Sequence, residues 1–163
     1  MSKDNQSNVN VPEHVAMESA LGSALLLATK APTHKYLFSH DFEWLIIPPI
    51  ASRQFSLFRN KQNEPIAFVS WANVNADVES RLQSGILRLS PQDWNSGDKL
   101  YIIDIISPFV AVAEILKQLS NGQFKDQSVS ILRPNPDQSG MMESISIAQA
   151  VADLEKAGNQ DQK

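Results

Sequence analysis

Apolar residues recur at three- to four-residue spacing through Val15, Leu21, Ala24, Leu25 and Ala28. That is the period of one helix face, and it predicts a helix from about Pro12 to Lys30. Pro32 ends it, because a proline disfavours helical geometry at the residue before it, here Ala31. Two strand-like runs follow, Trp44 to Ile47 and Gln54 to Arg59, the second alternating cleanly. Pro48 and Pro49 between them cannot sit in a central strand and mark a turn or short helix. Asn60 to Pro65 forms a hairpin loop into a third strand, Ile66 to Ala72. A solvent-facing helix is expected over 75–83, with Gly85 as its stop. Ser90 and Pro91 open a turn or short helix leading to the tight turn Asn95-Ser96-Gly97-Asp98, which feeds the apolar strand Leu100 to Ile106. Pro108 begins a helix carrying Ala111, Val112, Ile115, Leu116 and Leu119, capped by Asn121-Gly122. A last strand, Ser128 to Leu132, gives way to the breaker-rich Arg133-Pro134-Asn135-Pro136-Asp137, and residues 142–156 are expected to form a final helix. The sum is an α+β domain, a central and largely antiparallel sheet with helices packed on it.

The 163 residues suit a single domain with one core. Its expected bounds are 11–156, between polar, flexible tails at 1–10 and 157–163. A formal net charge of −4, with basic and acidic residues dispersed, gives no broad basic footprint for nucleic acid. Cysteine is absent, which removes disulfides, thiolate metal sites and a cysteine acyl-enzyme together. Three scattered histidines without a spaced carboxylate cluster argue against a metal site. No dinucleotide or P-loop glycine pattern occurs. The start lacks the basic character of a signal peptide, and the run Leu21 to Ala28 is too short to cross a bilayer core of about 30 Å, so a cytoplasmic location is expected.

One carboxylate stands out. Asp104 lies inside Leu-Tyr-Ile-Ile-Asp-Ile-Ile, where an ionised group without partners costs several kcal/mol, roughly. Strand alternation puts Ile102, Asp104 and Ile106 on one face and Ile103 and Ile105 on the other, which favours a buried, partnered carboxylate over a solvent-facing one. The best partner is His34, just past the first helix. Composition leaves His34 open between a surface cap and a base usable near neutral pH. His14 and His40 have no such context. Trp71 is expected in the core, Ser70 and Asn73 along a cleft, and Ser96-Gly97-Asp98 as a turn chosen for its backbone geometry.

Three motifs in order and register resemble the RTX toxin-activating lysine acyltransferases. Ala31-Pro32-Thr33-His34 is similar to the family's Ser-Pro-x-His. Glu64-Pro65-Ile66-Ala67-Phe68-Val69-Ser70-Trp71-Ala72-Asn73 is similar to its Pro-Val-Ala-x-x-Ser-Trp-Ala strand. The segment Asp93 to Phe109 is similar to its Asp-Trp-x-Ser-Gly-Asp and Ile-Asp-x-Ile-x-Pro-Phe. The likeness covers roughly residues 20–140. It implies a GNAT-like acyltransferase fold, a homodimer, no bound cofactor, an acyl carrier protein as acyl donor and an RTX protoxin as acceptor. It also places His34 and Asp104 on the family's catalytic positions. Acyl carrier protein being acidic, docking is expected through local cations: Arg53, Arg59, Lys35 and Arg133.

The chain departs from the pattern where Ala31 replaces the serine, Ile105 an aromatic residue and Val110 a glycine. A serine ester at position 31 is therefore impossible, and Thr33 occupies the motif's variable position. Two functional readings follow. One is an acyltransferase with His34 as base and Asp104 orienting its imidazole, transferring directly without an ester on the enzyme. The other is a binding or adaptor protein that kept the fold and lost turnover.

Overall fold

Ser56 and Ser70 are the polar side chains that the strands bury among their apolar neighbours, with Gln54 buried just before the first strand. The computed structural model describes residues 16–160. The N-terminal tail, the first residues of the expected helix, Val15 and His14 lie outside that span.

Helix α1 (Met17–Lys30) buries Ala20, Ser23, Ala24, Leu27 and Ala28. The buried stripe is thus set one position off the expected one, and Leu25 is exposed. Small residues let the helix lie close against the sheet. Ala31 is extended at φ −84° and ψ 123°, as a residue before proline should be.

The strand expected over Trp44 to Ile47 is absent. Those residues end helix α2 (Ser39–Leu45) and begin helix α3 (Ile47–Ala51). Asp41, three residues into the turn, reaches back to the Phe38 N–H at 2.8 Å and nucleates α2. Pro48 and Pro49 sit in the first turn of α3, where a missing N–H costs nothing.

Strands β1 (Phe55–Arg59), β2 (Pro65–Val74), β3 (Lys99–Ile106), β4 (Val129–Pro134) and β5 (Met142–Ser146) form one sheet in the order of the chain. Every neighbouring pair is antiparallel except β3 and β4. This is the mixed α+β sheet of a GNAT-like fold. Helix α4 (Ala76–Gln83) follows β2, with Asn75 accepting from the Val78 N–H as its cap. Helix α5 (Val112–Asn121) makes the crossover from β3 to β4. It starts at the Ala111 cap, three residues past Pro108.

The final helix is shorter at its start than expected. Residues 142–146 form β5, paired with β4 from Ser130↔Ser146 to Pro134↔Met142, and helix α6 spans Ile147–Gln160. Pairing with β4 satisfies backbone groups that the sequence does not mark as strand. Four residues expected in the C-terminal tail, 157–160, belong to α6.

The two faces are covered differently. On one, α5 and α6 bury Val69, Trp71, Leu100 and Ile102 with Ile115, Leu116 and Ile147, and Trp71 meets Phe124 edge to face. On the other, α1 to α3 cover Leu57, Phe68 and Ile106, while α4 covers Ala72, Val74 and Tyr101. Between those last two clusters, on the same face, stand Ser70 and Asp104.

Candidate active site

Asp104 reaches that seam through a break in the ladder. Ser70 pairs with Asp104 and Trp71 with Ile102, so Ile103 is an extra residue on β3. Such a bulge turns the chain by one position. Ile102 therefore packs with the α5–α6 cluster together with Ile105, Ile103 packs toward α4, and Ile106 toward α1. The expected common face of Ile102, Asp104 and Ile106 is corrected on this point. Asp104 shares a face with Ile106 and not with Ile102, since strict alternation fails at a bulge.

His34 is delivered by the turn that ends α1. The Ala31 carbonyl accepts from both the His34 and Lys35 N–H groups at 3.0 Å, and Ala31 itself is packed in the apolar cluster under α1. The imidazole Nε2 lies 2.9 Å from Asp104 Oδ1, with side chains 11% and 15% exposed. An ionised carboxylate only accepts, so Nε2 carries the hydrogen and Nδ1 is left as the acceptor. Thr33 Oγ1 lies 2.7 Å from Nδ1 and donates to it. The result is a chain of carboxylate, imidazole and hydroxyl running from the sheet to the exposed Thr33.

The second carboxylate oxygen is equally telling. Asp104 Oδ2 and the Ser70 hydroxyl are both buried and have no hydrogen-bond partner among the described residues. They come from side chains directly opposite on β2 and β3, at the roughly 5 Å Cβ spacing of such pairs. A buried carboxylate left half-satisfied is costly in structural terms, and catalytic pairs are where such cost is tolerated.

Beside Asp104 the sheet divides. β3 and β4 pair only from Leu100↔Val129 to Ile102↔Ile131, and past that point a cleft of about 260 Å³ opens. It is lined by Leu82, Leu87, Ile103, Asp104, Leu132 and Met142, among others. Its walls are apolar, and Asp104 is its one ionisable lining group among the described residues.

The Asp93 to Asp98 motif braces this arrangement from outside the site. Asp93 pairs with Arg81 at 2.6 Å and accepts from the Ser90 N–H at 2.8 Å. Burial pushes its carboxyl up, but Arg81 and Ser90 outweigh that and hold it below its ordinary value. Trp94 is buried under α4. Gly97 passes so close to β2 that a Cβ there would lie 2.5 Å from the Val74 carbonyl oxygen, so its turn is dictated by backbone geometry.

Other residues singled out in the sequence lie elsewhere. Asn73 holds the 94–97 turn through its backbone, accepting from Ser96 and Gly97. Arg53 is exposed, Arg59 donates to the Asn63 carbonyl at 2.7 Å, and Lys35 sits over the Tyr36 ring at 4.9 Å. Arg133 is engaged by Glu143 and Asp153. His40 is exposed and pairs with Glu43 at 3.2 Å. No cluster of three or more His, Asp or Glu suited to a metal occurs among the described residues, and no helix among them is long and apolar enough to cross a membrane. The Thr33 contact and the cleft residues Leu87 and Met142 were not visible in the sequence. The one signal for Thr33 was a hydroxyl residue adjacent to the histidine.

A histidine hydrogen-bonded to a carboxylate that itself lines an apolar cleft, in a GNAT-like sheet, is an arrangement suited to acyl transfer. The chain belongs to the RTX toxin acyltransferase family, whose model matches residues 13–147. It is 32% identical over 127 residues to a lysine-acyltransferase, RtxC, of Vibrio cholerae, covering 74% of this chain and 81% of that protein. It is also 32% identical over 121 residues to the protein-lysine myristoyltransferase RtxC of Kingella kingae, covering 72% of each. To the protein-lysine myristoyltransferase HlyC of Escherichia coli it is 29% identical over 129 residues, 79% of this chain and 70% of that one.

Proposed function

We propose that this acyltransferase moves a fatty acyl group from the thioester of an acyl-acyl carrier protein to the ε-amine of internal lysines in an RTX protoxin, in the cytoplasm and as a homodimer. The observation that carries the reading is the His34–Asp104 pair, whose Asp104 lines the apolar cleft between β3 and β4. The cleft takes the acyl chain, with the thioester carbonyl at its Asp104 end. Lysine at neutral pH is mostly ammonium, so attack requires a proton acceptor. His34 Nδ1 is that acceptor, and Asp104 stabilises the imidazolium that forms. The segment of β3 beyond its pairing with β4 supplies the candidate N–H donors for the oxyanion.

Acceptor and donor follow from the family and from chemistry. The relatives' names point to lysine acceptors and RTX toxins. The apolar walls of the cleft fit a fatty chain better than a polar acyl group. Exposed Arg53, with Arg59 and Lys35, offers cations for an acidic carrier; Arg133 is taken up by its own ion pairs.

The test is the intact mass of a candidate protoxin fragment incubated with the protein and acyl-acyl carrier protein. Each modified lysine should add one acyl group as an amide, and His34→Ala should abolish the gain. Undiminished acylation by the purified His34→Ala variant would remove His34 from the role of base. Sedimentation of the purified protein at micromolar concentration should give the dimer mass.

A further inference from the structure

We propose that Thr33 is a catalytic hydroxyl of this protein, a proton relay through which the attacking lysine amine reaches His34. The proposal rests on the acyl-transfer reading above and adds a third member to its machinery.

The geometry leaves the ring one lone pair. Nε2 is committed to Asp104 Oδ1 at 2.9 Å, so a proton can be accepted only at Nδ1. That nitrogen is covered by Thr33 Oγ1 at 2.7 Å, a close O–H···N contact. His34 is nearly buried while Thr33 is exposed, so the hydroxyl is the outermost group of the chain and the first that a substrate amine meets. The local fold holds it there. Adjacent side chains in a strand point apart, but the turn anchored on the Ala31 carbonyl brings Thr33 and His34 side by side.

The step balances without any added reagent. A lysine that has released its ammonium proton to solvent forms a bond through its nitrogen to the thioester carbonyl carbon. Its proton passes to Thr33 Oγ1 as the Thr33 proton passes to Nδ1. The C–S bond then breaks, and the departing thiolate takes a proton back from the imidazolium through the same hydroxyl. Amide and thiol are the products, and Thr33 and His34 end as they began. The exposure of Thr33 also favours a relay over an ester intermediate: an acyl ester there would stand open to water, whereas proton transfer needs only contact.

Thr33→Val removes the hydroxyl at nearly constant shape, and Thr33→Ser retains it. With acyl-acyl carrier protein and a protoxin fragment, Thr33→Val should lower kcat by about 10²-fold, with KM for either substrate little changed, and Thr33→Ser should recover most of the loss. In mixtures of H2O and D2O the rate of the wild type and of Thr33→Ser should bow with deuterium fraction, as two protons move together, and that of Thr33→Val should be linear. Imidazole ¹⁵N spectra should show the Nε2–H tautomer of His34 in the wild type. Wild-type kcat in Thr33→Val, or identical linear plots for all three proteins, would overturn the relay and leave the acyl-transfer reading intact. A stoichiometric acyl adduct on Thr33, chased to lysine when the fragment is added, would overturn it in favour of a nucleophile. Absence of transfer by the wild type would overturn the acyl-transfer reading and the relay with it.

Discussion

Asp104 is held by one oxygen, and that single bond to His34 makes a simple substitution informative. Asp104→Asn preserves shape but replaces the acceptor-only carboxylate with an amide that can present its NH2 to Nε2, favouring the wrong tautomer. Transfer should fall by about 10⁴-fold while circular dichroism and thermal midpoint stay near wild type. A variant that unfolds would make Asp104 chiefly a structural group. Ala31 gives the opposite expectation. Its methyl is packed among Leu27, Ala28 and Ile50, so Ala31→Ser buries a hydroxyl whose nearest acceptors are carbonyls of the preceding turn. The expected cost is at most about 1 kcal/mol, with acyl transfer little altered. A large gain in rate, measured on the same protoxin fragment, would mark the wild-type protein as an impaired member of its family.

At the scale of elements, the loops closing the cleft meet through glycine. Gly85 ends α4 at φ 87°, a conformation that L side chains rarely adopt, and a Cβ there would lie 2.4 Å from the Gly140 carbonyl oxygen. Gly85→Ala should therefore destabilise the protein by about 1–3 kcal/mol, read from urea unfolding. It should also slow transfer by moving Leu87 in the cleft wall; unchanged stability would show that the two loops part easily. Gly85 was legible as a stop because its chemistry is local, and so were β1, β2 and α4. The strand misassigned at Trp44 to Ile47 shows the limit: four consecutive apolar residues have no period, and Asp41's reach back to Phe38 decides for helix. β5 shows another, because Met142-Glu143-Ser144-Ile145-Ser146 becomes a strand through its partner β4 and not through its own composition. Asp104 was legible because a carboxylate stood out inside an apolar strand, whereas His34, in the polar run Lys30 to Lys35, was singled out by the resemblance to the family motif. The bulge at Ile103, a property of the ladder and not of the residue, left no such mark.

For the whole molecule, acid should act on the carboxylates that anchor α4, Glu79 to the sheet and Asp93 to the turn before β3. Lys99, then the Tyr101 hydroxyl, donate to Glu79 and hold its carboxyl below the ordinary 4.5. Asp93 is likewise held below 3.8 against the opposing effect of burial. Because both folded values are depressed, the stability they contribute is present above those ordinary values and is lost as pH falls through the lower, folded ones. Thermal midpoints should thus decline steeply below about pH 4.5, and Glu79→Gln with Asp93→Asn should flatten that decline while lowering the plateau. An unchanged slope in the double variant would assign acid sensitivity to other groups. Tyr101 passes the Glu79 link on to Ser144 of β5 at 2.7 Å, and so across the division in the sheet. That division has a mechanical meaning. With β2 and β3 matched at seven residue pairs, β4 and β5 at five, and only three between β3 and β4, the sheet is two stiff boards meeting along a crease. On the proposed acyl-transfer function, a tilt of the boards about this crease would admit chains of different length without either board being remade. Deuterium should accordingly reach the amides of Val129 to Ile131 well before those of Val69 to Trp71, and equal protection would show the crease to be rigid.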